Sequence, residues 1–184
     1  ARSRGLGDVY KRQVKMFVLV PSYVSNYLHS GGNVFASSEV YYSIGAVLAG
    51  MSIRPIFNRF NTVFGIIFLM LSTIIGCFLL TFTQSIGVFY IISLLIGITN
   101  AGTRVLRITY LFNHVPNNII GRTGSVFNSI SIIMRIFMIA AFSIPFFTTG
   151  ENVKWGYIVG AVFLSVGLIP LIINYKKLVN LTKT

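Results

Sequence analysis

The stretch FNTVFGIIFLMLSTIIGCFLLTFTQSIGVFYIISLLIGITNAGT, residues 60–103, lies between Arg59 and Arg104 and runs for 44 residues without one formal charge. As a single helix rising ~1.5 Å per residue it would reach roughly 66 Å, about twice the hydrocarbon thickness of a bilayer. It must therefore fold back on itself. Its one polar cluster is Thr81 to Gly87, centred on Gln84. A hairpin turn there separates two membrane-crossing helices, expected at 61–82 and 86–111.

The same logic extends outward in both directions. Towards the N-terminus, the apolar run from Met16 with Pro21 near its middle reads as a helix over 14–28. Ser30 to Ser38, rich in Gly, Ser and Asn, reads as a connecting loop, and Glu39 opens a helix over 39–56 with Ser37 or Ser38 as its N-cap. Towards the C-terminus, Asn113 to Asn118 breaks the pattern around Pro116, and Gly121 and Arg122 precede a helix over 124–147. A short loop over 148–154 leads to a sixth helix over 154–175, ended by Lys176 and Lys177. The expected fold is all-α: a polytopic membrane protein of six transmembrane helices.

Composition agrees. Hydrophobic residues make up 54% of the 184 and charged residues only 10%, against about 25% charged in an ordinary soluble domain. A soluble fold could not hide that much apolar surface, so the bilayer is the expected surroundings of most of the chain. The net charge of +12 does not point to nucleic acid, because the basic residues stand singly or in pairs between apolar runs instead of forming a stripe. Cys77 is alone, which rules out an intramolecular disulfide and a cysteine-based metal site, and His29 and His114 lack ligand spacing. No metal or cofactor is expected.

Residues Ala1 to Gln13, ending GDVYKRQ, resemble translated sequencing-adapter sequence and are set aside from the fold. The native start of the gene is then expected upstream. Orientation follows from the positive-inside rule. With six spans, Lys15, Arg54, Arg59, Arg104, Arg107, Arg122, Lys176, Lys177 and Lys183 fall on one side and Lys154 alone on the other, together with Glu39 and Glu151. That bias predicts that both ends of residues 14–184 are cytoplasmic.

The order of elements resembles the C-terminal half of a major facilitator superfamily transporter. PSYVSNYL at 21–28, a short polar loop and YYSIGAVLAG at 41–50 look like the family's seventh and eighth helices. LLIGITNAG at 94–102, Val115-Pro116 and Gly121-Arg122 look like its tenth helix and the loop into its eleventh, and VPNNIIGR at 115–122 is similar to bacterial drug or macrolide efflux members, which implies the plasma membrane of a bacterium. The resemblance implies two inverted three-helix repeats, a missing N-terminal six-helix half, and a small-molecule solute bound near the midplane and moved by alternating access. It also implies that the first and fourth helices line the cavity, the second and fifth face the missing half, and the third and sixth face lipid. Gly50, Arg54 and Arg59, with Gly121 and Arg122, fall where cytoplasmic gating loops would be, although no aspartate accompanies the first three.

Three groups of residues are candidates for a solute pathway. Asn100, Thr103, Arg104 and Arg107 follow the i, i+3, i+4, i+7 spacing of one helix face and would offer an amide, a hydroxyl and two cations to a polar or anionic solute. Anchoring of the cytoplasmic helix end explains Arg107 equally well. Ser22, Ser25 and Asn26 form a weaker stripe around Pro21, which core contacts or the exit to the loop explain nearly as well. Arg135 stands near the centre of the expected fifth helix, where a charge is costly and marks a pathway or a paired site unless it snorkels to an interface. Gly156 with Gly160, and Ala46 with Gly50, have the small-xxx-small spacing that lets helices approach closely.

Catalysis is not expected, since the helix interiors contain no Asp, no Glu and no His pair. A secondary transporter fragment is the leading expectation. A non-transporting membrane scaffold or assembly subunit is the alternative, and it would have no need of polar groups at the midplane. The charge bias makes a direct prediction: cysteine introduced at Asn118 should label only from the cytoplasm and cysteine at Asn152 only from outside. Labelling of both positions from the same side would rule out the six-helix count.

Overall fold

A computed structural model describes residues 19–57, 62–114, 116, 119–148 and 150–176. The described chain is helical, without a strand among the described residues. In order the elements are α1 (Leu19–Asn26), α2 (Gly32–Phe57), α3 (Thr62–Phe82), α4 (Ile86–His114), α5 (Ile120–Phe142), the single turn α6 (Pro145–Thr148), the 3-10 turn η1 (Gly150–Val153) and α7 (Lys154–Ile173). Among the described residues five helices, α2, α3, α4, α5 and α7, are long and apolar enough to cross a membrane. The expected first helix over 14–28 is described only from Leu19, and Ala1 to Gln13 lie outside the described residues.

Besides the three residues by which α4 outruns 111 to reach His114, two elements differ from expectation. The segment expected to be a loop, Ser30 to Ser38, is helical from Gly32 onward. Serine inside a helix can return its hydroxyl proton to the preceding turn, and the buried Ser38 does so, donating to the Phe35 carbonyl at 2.7 Å. The connection shrinks to residues 27–31, where His29 adopts a left-handed φ of 48°. The second difference is the fifth helix, which begins at Ile120 instead of 124 and stops at Phe142. Pro145 accounts for the stop: a proline disfavours the helical conformation in the residue before it, here Ile144, and the chain resumes only as α6. Gly121 and Arg122 thus belong to the first turn of α5.

The bundle is a row in which α2 lies on α4, α4 on α3 and α3 on α7, with α1 laid across α2 and η1. The α2–α4 crossing brings backbone against backbone. A Cβ at Gly45 would collide with the Leu94 carbonyl, and a Cβ at Gly97 with the Tyr42 carbonyl. Neither pair of small residues singled out by spacing plays this part in full. Gly156 does lie against the Leu19 side chain, but nothing approaches within 4 Å of the Cβ positions of Gly160 and Gly50. The α3–α4 seam carries one hydrogen bond between side chains, from the Thr73 hydroxyl to that of the buried Thr99 at 2.8 Å.

α1 is fastened by tyrosines. Tyr23 and Tyr27 are four residues apart, so they share a face. The fully buried Tyr23 donates its hydroxyl to the Leu80 carbonyl at 2.6 Å, and Tyr27 donates to the Thr81 carbonyl at 3.0 Å. These are among the last carbonyls of α3, which have no partner within their own helix. Tyr157 of α7 meets the Tyr23 ring edge-on at 4.8 Å between centroids, and Phe89 of α4 closes the cluster at 5.7 Å. One aromatic knot therefore joins α1, α3, α4 and α7.

The crossing predicts a strong asymmetry among glycines. Gly45→Ala and Gly97→Ala each drive a methyl group into a backbone carbonyl and should destabilise the bundle by about 2 kcal/mol or more. Gly160→Ala and Gly50→Ala, in open helical positions, should be neutral or stabilise by about 0.5–1 kcal/mol. Thermal unfolding of the four variants in lipid nanodiscs checks this, and equal losses across the set would dismiss the crossing as a constraint.

Candidate functional site

Polar side chains of α2, α4 and α5 converge on one cleft of about 710 Å³. The face expected from spacing is present in full: Asn100, Thr103, Arg104 and Arg107 all line it from α4. From α5 come Asn128, Ser131 and Arg135, and from α2 Tyr42 and Ala46. Thus the arginine read as an isolated intramembrane charge shares a cleft with the other two. None of the cleft's lining residues is acidic, and among the described residues none of these three guanidiniums has a hydrogen-bond or ion-pair partner.

Depth can be gauged along the helices. α4 continues to His114 and α5 starts at Ile120. Counting back from that turn at ~1.5 Å per residue puts Arg107 about 10 Å, Arg104 about 15 Å and Asn100 about 21 Å along α4, with Arg135 about 22 Å along α5. Arg135 is therefore level with Asn100. It is also about 6 Å farther from the start of its helix than a start at 124 would put it, because α5 begins four residues earlier. The arginines of α4 therefore lie about two and three turns inside the end of their helix and line the cleft.

Tyr42 and Asn100 close one end of the cleft. The Asn100 side-chain amide donates to the Tyr42 hydroxyl at 2.9 Å. Both residues also line a second cavity of about 350 Å³ on the far side of the pair, with Ser38, Glu39, Ser93 and Tyr157. The two spaces differ in charge: three arginines border one and a carboxylate borders the other. Asn100 and Tyr42 form the partition between them.

The remaining candidates are placed elsewhere. Ser22 and Ser25 line a separate surface hollow of about 320 Å³ with Ser30, Gly31 and Phe35, and the Ser25 hydroxyl donates to the Asn26 side-chain oxygen at 3.3 Å. This stripe does not join the cleft. The second cavity does not single out the expected first and fourth helices: Val20 and the α4 residues Phe89 to Asn100 line it together with Tyr42 of α2, Leu80 of α3 and Tyr157 of α7. Gly50, Gly121 and Arg122 are exposed, Arg54 falls within α2, and Arg59 lies outside the described residues. The residues that sequence reasoning missed are Tyr42, Asn128 and Ser131. The last two carried a legible signal, since Asn128, Ser131 and Arg135 repeat the i, i+3, i+7 spacing of one face.

Comparison with family models, curated proteins and solved structures finds no match to this chain. The site therefore has to be read from its own chemistry. If the Tyr42–Asn100 pair is the partition, removing it should join the two spaces. In Tyr42→Ala, a cysteine introduced at Ser93 should react several-fold faster with a charged thiol reagent than it does beside the native Tyr42, measured in nanodiscs. An unchanged rate would mean that the pair separates nothing.

Proposed function

We propose that the chain is the C-terminal half of a secondary transporter of the major facilitator type, in which a small solute is moved by alternating access. In this reading the segment 14–28 supplies a sixth span, the two sets of three helices form inverted repeats, and both ends face the cytoplasm of a bacterium. The solute site is shared with a preceding six-helix half, and α5 faces that half.

The observation that supports transport is the cationic cleft well inside the span of α4 and α5. Polar and charged groups at membrane depth are costly, and they persist where they line a water-filled path or a binding site. A helix bundle serving only as a scaffold gains nothing from three arginines there. The exposure of α5 supports the second part of the reading, because none of its described side chains is buried although it is apolar enough to span.

The test is flux measured together with membrane abundance in the full-length protein. Arg135→Ala should abolish transport while leaving abundance nearly intact. Arg135→Lys should restore little, because an ammonium does not reproduce the planar fork of a guanidinium. Residues 14–184 alone, in proteoliposomes, should show no saturable uptake. Normal flux in Arg135→Ala would remove this arginine from the pathway, and a full-length protein without flux for any class of solute would favour the assembly subunit.

A further inference from the structure

Arg104 and Arg107 are three residues apart on α4, so their side chains leave the helix on one face, about 5–6 Å apart at Cβ. Arg135 enters the same cleft from α5. Three like charges around one space repel each other, and the apolar surroundings of the span weaken the screening that water would provide. The chain has little with which to neutralise them. Its only acidic residues are Asp8, Glu39 and Glu151. Asp8 lies outside the described residues, Glu39 borders the cavity beyond the Tyr42–Asn100 partition, and Glu151 belongs to η1, between α6 and α7.

The other polar groups of the cleft suit the same occupant. Asn100, Thr103, Asn128 and Ser131 carry amide and hydroxyl donors. Guanidiniums present paired N–H groups whose spacing matches the oxygens of a carboxylate or a phosphate. About 710 Å³ is ample for a small organic acid or phosphate ester and falls within the ordinary range of small-molecule sites.

We propose that the cleft between α2, α4 and α5 binds a small oxyanion, a carboxylate- or phosphate-bearing solute with at least two negative charges, held by Arg104, Arg107 and Arg135. The proposal rests on the reading of this cleft as a solute site and names its substrate class. The Tyr42–Asn100 pair stands at the inner limit of the site, and Glu39 beyond it repels an anion that passes. The arginines thus define where the solute is held, and the carboxylate marks the side on which it is not retained.

The experiment is equilibrium binding to the full-length protein in nanodiscs of uncharged phosphatidylcholine, using radiolabelled inorganic phosphate and succinate, with glucose as the neutral control. At least one of the two anions should bind saturably, each should compete with the other, and affinity should fall as sodium chloride is raised. Arg104→Gln and Arg135→Gln should each weaken binding about tenfold or more. Arg135→Lys should fall between wild type and Gln, and this variant carries the test if the glutamine form loses its helical circular dichroism. Saturable binding unaffected by the glutamine substitutions, or no saturable binding of either anion, overturns the proposal. Displacement of both anions when phosphatidylglycerol is added to the discs assigns the cleft to a lipid headgroup and also overturns it. Binding needs no flux, so anion binding in a full-length protein that transports nothing would refute the transport reading alone. Transport of an uncharged solute without anion binding would refute the substrate class alone.

Discussion

The backbones of α2 and α4 meet at Gly45 and Gly97, and much of the rest of the described structure depends on that contact. With the Tyr42 carbonyl against Gly97 and the Leu94 carbonyl against Gly45, the two helices have no freedom to slide along each other. Tyr42 is then held one turn from Asn100, close enough for the hydroxyl–amide hydrogen bond. The register of one crossing decides where the partition stands, and so which polar residues of α4 fall on each side of it. Small residues permit such contact in a membrane because lipid tails provide no hydrophobic drive for helices to associate, and close van der Waals contact must supply it.

The aromatic knot solves a different problem. A helix end covered by its neighbours leaves its last carbonyls without partners in their own helix, and the covering side chains keep water from satisfying them. Tyr23 and Tyr27 reach across to the end of α3 and donate to Leu80 and Thr81. The same rings supply the apolar contact area that holds α1 to α7 and α4. Two tyrosines therefore combine hydrogen-bond satisfaction with burial, and the short α1 is fixed by side chains instead of by length.

Much of this was legible in the sequence, and the reasons for the rest are specific. An uncharged run of 44 residues dictates a hairpin of apolar helices, and the structure turns where Gln84 interrupts it, between Phe82 and Ile86. The Asn100 to Arg107 face was readable because helical spacing maps directly onto a surface. Its meeting with Arg135 was not, since that depends on how α5 lies beside α4, which spacing within one helix does not encode. Ser30 to Ser38 misled because serine and glycine mark loops in water, whereas in an apolar setting a serine hydroxyl satisfies itself on its own helix. The effective glycines lie on separate helices, Gly45 opposite Gly97, so a motif confined to one helix could point only to Gly156 and its contact with Leu19.

The exposure of α5 has a consequence for selectivity. One wall of the cleft is a rigid face, with α4 locked by glycines to α2 and joined to α3 through Thr73 and Thr99. The other wall, α5, buries none of its described side chains, so no interlocking surface sets its distance from α4. A space with one unlatched wall has no fixed width. If the cleft holds the proposed anion, this chain by itself sets the number and sign of the charges around it, and its girth has to be set by whatever packs on the outer face of α5.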